Sequence, residues 1–259
     1  MKPVMQATFA AVFLLAGCEQ KQTSLGEFDD DQAGATAGPV GQLCQQGDEV
    51  FGASLSSALF GPEYAVEMEC TVEELRVESE QPQGPASITH RILDVVLACE
   101  GDGASGEVVL SLSAPLTEGF PFEVGLSVLV DAQRGPAVGI PREQFTVFSA
   151  SDGEVLLSSV QEWSHLAPED APPGLSCIEA WQDRLDELTD WLEPLGAAPR
   201  ESSCIEDGLS LQLADREVGP GRAVDAPDGH RIFVDEATCD TGEDGEHALV
   251  LRMGYWRVP

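Results

Sequence analysis

Positive charge is what this chain has least of. Its 259 residues carry 13 Lys and Arg against 46 Asp and Glu, a formal net charge of −33. Both lysines, Lys2 and Lys21, stand near the start, and every other basic residue is arginine. Binding to phosphate backbones needs clustered Lys and Arg, so nucleic acid is excluded as a partner. An anionic membrane surface would repel the body as well. The excess acid can serve a cationic partner, a divalent ion or plain solubility.

Other absences narrow the chemistry. No C-x-x-C pair and no close Cys/His set occurs, which argues against structural zinc and thioredoxin-like redox work. G-x-S-x-G, H-E-x-x-H, the P-loop and the dinucleotide fingerprint are missing too. That lowers an enzymatic reading without excluding it, because a catalytic triad need not be close in sequence. Carboxylates are so plentiful that their number says nothing for or against a glycosidase pair.

What is present begins at the N-terminus. Lys2 forms a short positive start, and residues 4–16 are apolar apart from Gln6 and Thr8. The stretch falls short of the about 20 apolar residues of a permanent membrane helix and reads as a secretory signal. It ends in Leu15-Ala16-Gly17-Cys18. These four residues resemble the lipobox of bacterial lipoproteins. The resemblance implies cleavage before Cys18, diacylglycerol on its sulfur and an acyl chain on its new amino group. Several acyl chains hold a protein stably on a bilayer where one does not. It also implies that the residue after the cysteine steers sorting. Glu19 is not the aspartate of the familiar retention rule, so the expected address is the cell envelope, at the outer membrane. Cleavage there would leave 12 basic and 46 acidic residues, a net charge of −34.

Six cysteines remain besides Cys18: Cys44, Cys70, Cys99, Cys177, Cys204 and Cys239. An even number in an exported chain predicts a disulfide framework, here three bridges. Their spacing also suggests a duplication, since the residues around them correspond. "HRILDVVLAC" and "HRIFVDEATC" both place His-Arg-Ile ahead of the third cysteine of each trio. "CTVEELRV" and "CIEDGLSL" alternate apolar residues after the middle one, as strands do. Near the first cysteine of the second trio, Ser176 and Glu179 form a capping box. Ile178, Trp181, Leu185, Leu188 and Trp191 follow at helical spacing, up to Pro194. In the first trio Val50, Phe51, Leu55 and Leu59 make a weaker helical stripe ending at Gly61-Pro62. The expected fold is α+β: mainly antiparallel strands, two amphipathic helices, and a helix–hairpin unit present twice.

The expected organisation is a signal peptide over 1–17, a lipidated disordered tether over 18–41, a first α+β unit with additional strands over 42–165, and a second, shorter one over 166–259. If the middle and third cysteines flank a hairpin in each unit, the bridges are Cys70–Cys99, Cys204–Cys239 and Cys44–Cys177. The rival set is Cys44–Cys70, Cys177–Cys204 and Cys99–Cys239. Geometry decides between them.

Residues that could carry chemistry are few. The acidic, glycine-rich segments 99–107 and 239–246 offer Asp102, Glu107, Asp240, Asp244 and Glu246 as candidate calcium ligands. Neither segment has EF-hand spacing, so an acidic turn and no cofactor is the expectation. His90 and His230 open equivalent strands, while His165 and His247 lack sequence partners. Trp181 and Trp191 fall on the helix's apolar stripe and read as core. The functional expectation is therefore a membrane-anchored lipoprotein with a non-enzymatic binding, assembly or structural role. Its partners would be the bilayer, through acylated Cys18, and an envelope protein. The alternatives are an envelope hydrolase and a calcium-dependent binder.

Overall fold

Alternating apolar residues at spacing two dominate the chain, and the fold follows that period rather than the helical one. The computed structural model describes residues 51–56, 59–79, 90–101, 104–115, 121–136, 141–164, 171–202, 208–213, 216–226, 228–243 and 245–258. Of these residues 66% are strand and 11% helix. The α+β expectation is corrected accordingly: the protein is mostly β.

Ten strands form one antiparallel sheet that curls on itself. In spatial order they are β1 (Gly52–Ser56), β4 (Ala104–Pro115), β3 (His90–Gly101), β2 (Tyr64–Ser79), β5 (Ser127–Pro136), β6 (Pro141–Ser149), β7 (Val155–Ser164), β13 (His247–Arg257), β12 (His230–Thr241) and β11 (Arg222–Asp225). A second sheet joins β10 (Arg216–Val218), β9 (Leu209–Leu213) and β8 (Ala197–Glu201). Between β7 and β8 the chain makes α1 (Cys177–Ala180), α2 (Gln182–Leu192) and a 3-10 turn at Glu193–Leu195.

The sheet's two faces build two cores, because successive strand residues point to opposite sides. On the inner face Val72, Leu97, Leu110, Leu112, Val130 and Val147 meet Phe233 and Trp256. On the outer face of β7, β13 and β12, Val160, Leu249, Leu251, Met253, Ile232 and Val234 receive Trp181, Leu185, Leu188, Leu209 and Leu211. Strand β13 therefore serves both cores and must lie close to its neighbours. At Gly254 a Cβ would fall 2.3 Å from the Ser158 carbonyl and 2.4 Å from the Phe233 ring.

The helix expected after Ser176 is present. The Ser176 hydroxyl accepts from the Glu179 N–H, and the Glu179 carboxylate accepts from the Ser176 N–H at 2.9 Å. Trp181 (φ −104°, ψ 14°) breaks it into two pieces, and Gly196 (φ 68°) ends the turn in the left-handed region that glycine tolerates. The helix expected around Val50–Leu59 is corrected: Phe51 precedes a strand, and Phe51, Ala53 and Leu55 reach the inner core at spacing two. The repeated helix–hairpin unit fails a second time. β2 pairs with β3 as expected, but β9 leaves the large sheet for β8 and β10. Among the described residues its backbone link to β12 is the isolated bridge Gly208↔Thr238 just ahead of it, and the rest of the contact is side-chain packing. What does correspond is β3–β4 with β12–β13.

The bridges follow this layout. Cys70 and Cys99 lie directly opposite across β2 and β3 and are joined, with Cα atoms 4.1 Å apart. Cys177 bonds Cys239, with Cα atoms 5.7 Å apart, which corrects both Cys204–Cys239 and Cys44–Cys177. Cys239 faces the outer core, where the start of α1 lies and β9 does not reach it as a ladder partner. The rival set is overturned by the same two bonds. Cys44 and Cys204 lie outside the described residues, as does Cys18.

Candidate functional site

Two places collect polar groups that the cores do not explain. The first is the outer face of β4, β3, β2 and β5. Outward positions there hold Glu107, Glu100, Glu67, Glu69 and Asp131, all exposed. Two open grooves of about 710 and 600 Å³ run across them and share Glu69, Glu100 and Leu129. Leu129 is 40% exposed in this acidic setting. Thr71, Ala98 and Ser105 complete a surface of short side chains between the carboxylates.

The second place is the inner face near the starts of β2 and β6, where charged residues occupy the apolar phase of their strands. Tyr64 pairs with Arg134, Arg134 with Glu143, Glu143 with Gln161, and Gln161 with Arg252. Arg252 extends the row to Asp235 through a 2.8 Å hydrogen bond and stacks over Trp163 at 5.5 Å. This polar floor lies beneath β1, whose Leu55 N–H donates to the Glu143 carboxylate.

Electrostatics at the floor is set by burial. Desolvation raises the Glu143 pKa, opposed by Arg134, by hydrogen bonds from the Tyr64 hydroxyl and the Leu55 N–H, and by Arg252. The Tyr64 phenol is pushed up by burial first and by Glu143 second. Arg134 Nη1 stands 3.8 Å from Glu143 Oε2, an ion pair too long for a hydrogen bond. Arg134 Nε, Arg252 Nε and Trp163 Nε1 are shielded from solvent and have no acceptor among the described residues. A carboxyl group with a raised pKa beside two guanidiniums is a group that can exchange a proton. In this structure it holds strand β1.

The residues singled out from sequence scatter. Glu107 is exposed on β4, and Asp240 and Glu246 are exposed at the β12–β13 turn, closed by the Gly242 N–H to the Glu246 carbonyl at 2.7 Å. Asp102 and Asp244 lie outside the described residues. Among the described residues no three His, Cys, Asp or Glu side chains gather as a metal site. His230 Nδ1 is 3.0 Å from Asp228, and its ring meets Tyr255 edge-on at 5.4 Å. His247 is buried with Nδ1 3.2 Å from the Thr241 hydroxyl. His165 and the side chain of His90 are outside the described residues. Trp181 is core, and Trp191 packs on Tyr255 at 5.3 Å.

A buried ion cluster lies on the covered half of the sheet and was also missed. Glu162 on β7 is 1% exposed and accepts from Arg184 Nε at 3.0 Å. Arg142 Nε stands 3.5 Å away, an ion pair without hydrogen-bond geometry. Both arginines also reach Glu187, at 3.3 and 2.5 Å. The cluster fastens α2 to β6 and β7. A sequence signal existed for the floor and the cluster alike. Arg134, Glu143 and Arg252 continue the inward phase of Val130, Val147 and Trp256, and Glu162 continues the outward phase of Val160. A charge in an apolar phase is costly unless paired, so each asks for a partner. Comparison with known proteins gives no match: no protein-family model, no curated protein and no solved structure is similar to this chain.

Proposed function

We propose that this chain is a bacterial envelope lipoprotein, anchored at the outer membrane through acylated Cys18, whose body binds a cationic protein partner and catalyses no reaction. The observation that carries the binding role is the bare half of the sheet: Glu67, Glu69, Glu100, Glu107 and Asp131 around exposed Leu129, with two open grooves between them. A strand surface of one charge sign fits a partner surface of the other sign and repels a second copy of itself. The anchor is supported by the positive start, the apolar stretch and Leu15-Ala16-Gly17-Cys18. The bilayer is then the second partner, reached by lipid and not by charge.

Crosslinking in intact cells, followed by recovery and mass spectrometry, tests the reading. The expected result is a specific protein partner that is lost with Cys18→Ala and weakened by paired Glu69→Lys and Glu100→Lys substitutions. Membrane association that survives Cys18→Ala would sink the anchor. Recovery of nothing specific, or of a partner indifferent to both lysines, would sink the binding face.

A further inference from the structure

The curled sheet closes at one seam, and among the described residues that seam has a backbone ladder on one side only. Strand β1 pairs with β4 through five residue pairs, Gly52↔Ser113 to Ser56↔Val109. Its other edge is met by side chains. The Ser159 hydroxyl is 3.4 Å from the Ala53 carbonyl and is also bonded to the Met253 carbonyl at 3.2 Å. Glu143 accepts from the Leu55 N–H while serving Tyr64 and Arg134. Asp235 leaves no room for a Cβ at Gly52, which would fall 2.9 Å from its carboxylate. Phe51 anchors one end against Trp256 at 6.2 Å. At the other end Leu59 sits over Gly106, where a Cβ would be 2.7 Å from its methyl. The opposite edge of the sheet is built otherwise: β11 is tied by a four-pair ladder and by backbone bonds at both ends, Gly221 N–H to the Val234 carbonyl and Ala226 N–H to the His230 carbonyl.

We propose that β1 is a strap, an edge strand that lifts from the inner core as an opening unit of its own. Its lifting breaks one short ladder and a few side-chain bonds, and leaves the twelve-pair β3–β4 ladder intact. It uncovers Leu110, Leu112, Phe233 and Trp256 together with the edge of β4. Opening units of this kind exchange independently of global unfolding.

Hydrogen exchange on the full chain, read by mass spectrometry, tests the strap. The β1 amides are expected to exchange on the order of 100-fold faster than those of β3 and β12. Ser159→Ala and Glu143→Ala should speed β1 further and leave β12 unchanged. A Ser54→Cys, Ser111→Cys pair, which stand opposite each other, should once oxidised slow β1 to the rate of β3. Exchange of β1 at the rate of β3 and β12 in the unsubstituted protein would overturn the proposal. So would an oxidised pair that leaves β1 fast, or a substitution that speeds every strand equally.

Discussion

On β7, β13 and β12 the outward positions hold Val160, Leu249, Leu251, Met253, Ile232 and Val234, and a layer of helix and small sheet covers them. On β4, β3, β2 and β5 the equivalent positions hold Glu107, Glu100, Glu69 and Asp131, and they stay exposed. The backbone is the same antiparallel ladder in both halves. The side chains of one face therefore decide where a second layer forms, and among the described residues the acidic half carries none. The disulfides divide the same way. Cys177–Cys239 fastens a layer to the sheet, whereas Cys70–Cys99 joins two strands already paired.

The contrast can be broken most sharply at Glu162. Glu162→Ala removes the buried partner of Arg142 and Arg184 and leaves them with half-exposed Glu187, and equilibrium denaturation should show a loss of about 2 kcal/mol. Glu100→Ala on the bare half should stay within about 0.5 kcal/mol; a comparable loss there would erase the distinction. Leu251→Ala should lose about 2–3 kcal/mol, against less than about 0.5 kcal/mol for exposed Leu129→Ala. Among the bridges, replacing Cys177 and Cys239 by Ser should cost about 2–4 kcal/mol, and roughly 0.7 kcal/mol more than the same change at Cys70 and Cys99, because the loop closed is longer. A larger effect at Cys70–Cys99 would place the weak point in the bare half.

The smallest effect is in pH. Burial raises the Glu143 pKa above the usual carboxylate value, so its contribution to stability is full at pH below that usual value and falls as pH rises through the folded pKa. The Ser176 hydrogen bonds lower the Glu179 pKa, so its contribution is present above the usual value and is lost as pH falls through the lowered one. Stability profiles of Glu143→Gln and Glu179→Gln should therefore differ from that of the unsubstituted protein with opposite slopes in the acid range. Slopes of the same sign would show that the floor is wetter than its geometry implies.

Legibility in the sequence followed the range of the interaction. The capping box at Ser176 and the stripe from Ile178 to Trp191 are contained within one local segment, and they were readable. Cys70–Cys99 was readable because the two strands that carry it are neighbours in the chain. Phe51, Ala53 and Leu55 were misread because a stripe over ten residues fits both periods, and Gly52 makes sense only against Asp235. Cys204–Cys239 failed because alternation reveals which face a residue takes and not which strand lies beside it. The floor needed four registers to agree before Tyr64, Arg134, Glu143 and Arg252 could meet. The candidate surface was legible only as an excess of acid, with no indication that one half of one sheet would bear so much of it.

Gly254 carries a consequence of its own. It lies where the Phe233 ring and the β7 backbone crowd the same point, so β13 acts as a party wall between the two cores, thin enough for each to feel the other. A single methyl added there would push β13 off β7 and Phe233, and the outer core rides on the same strand. The residue with no side chain is thus a point at which the two cores share one strand.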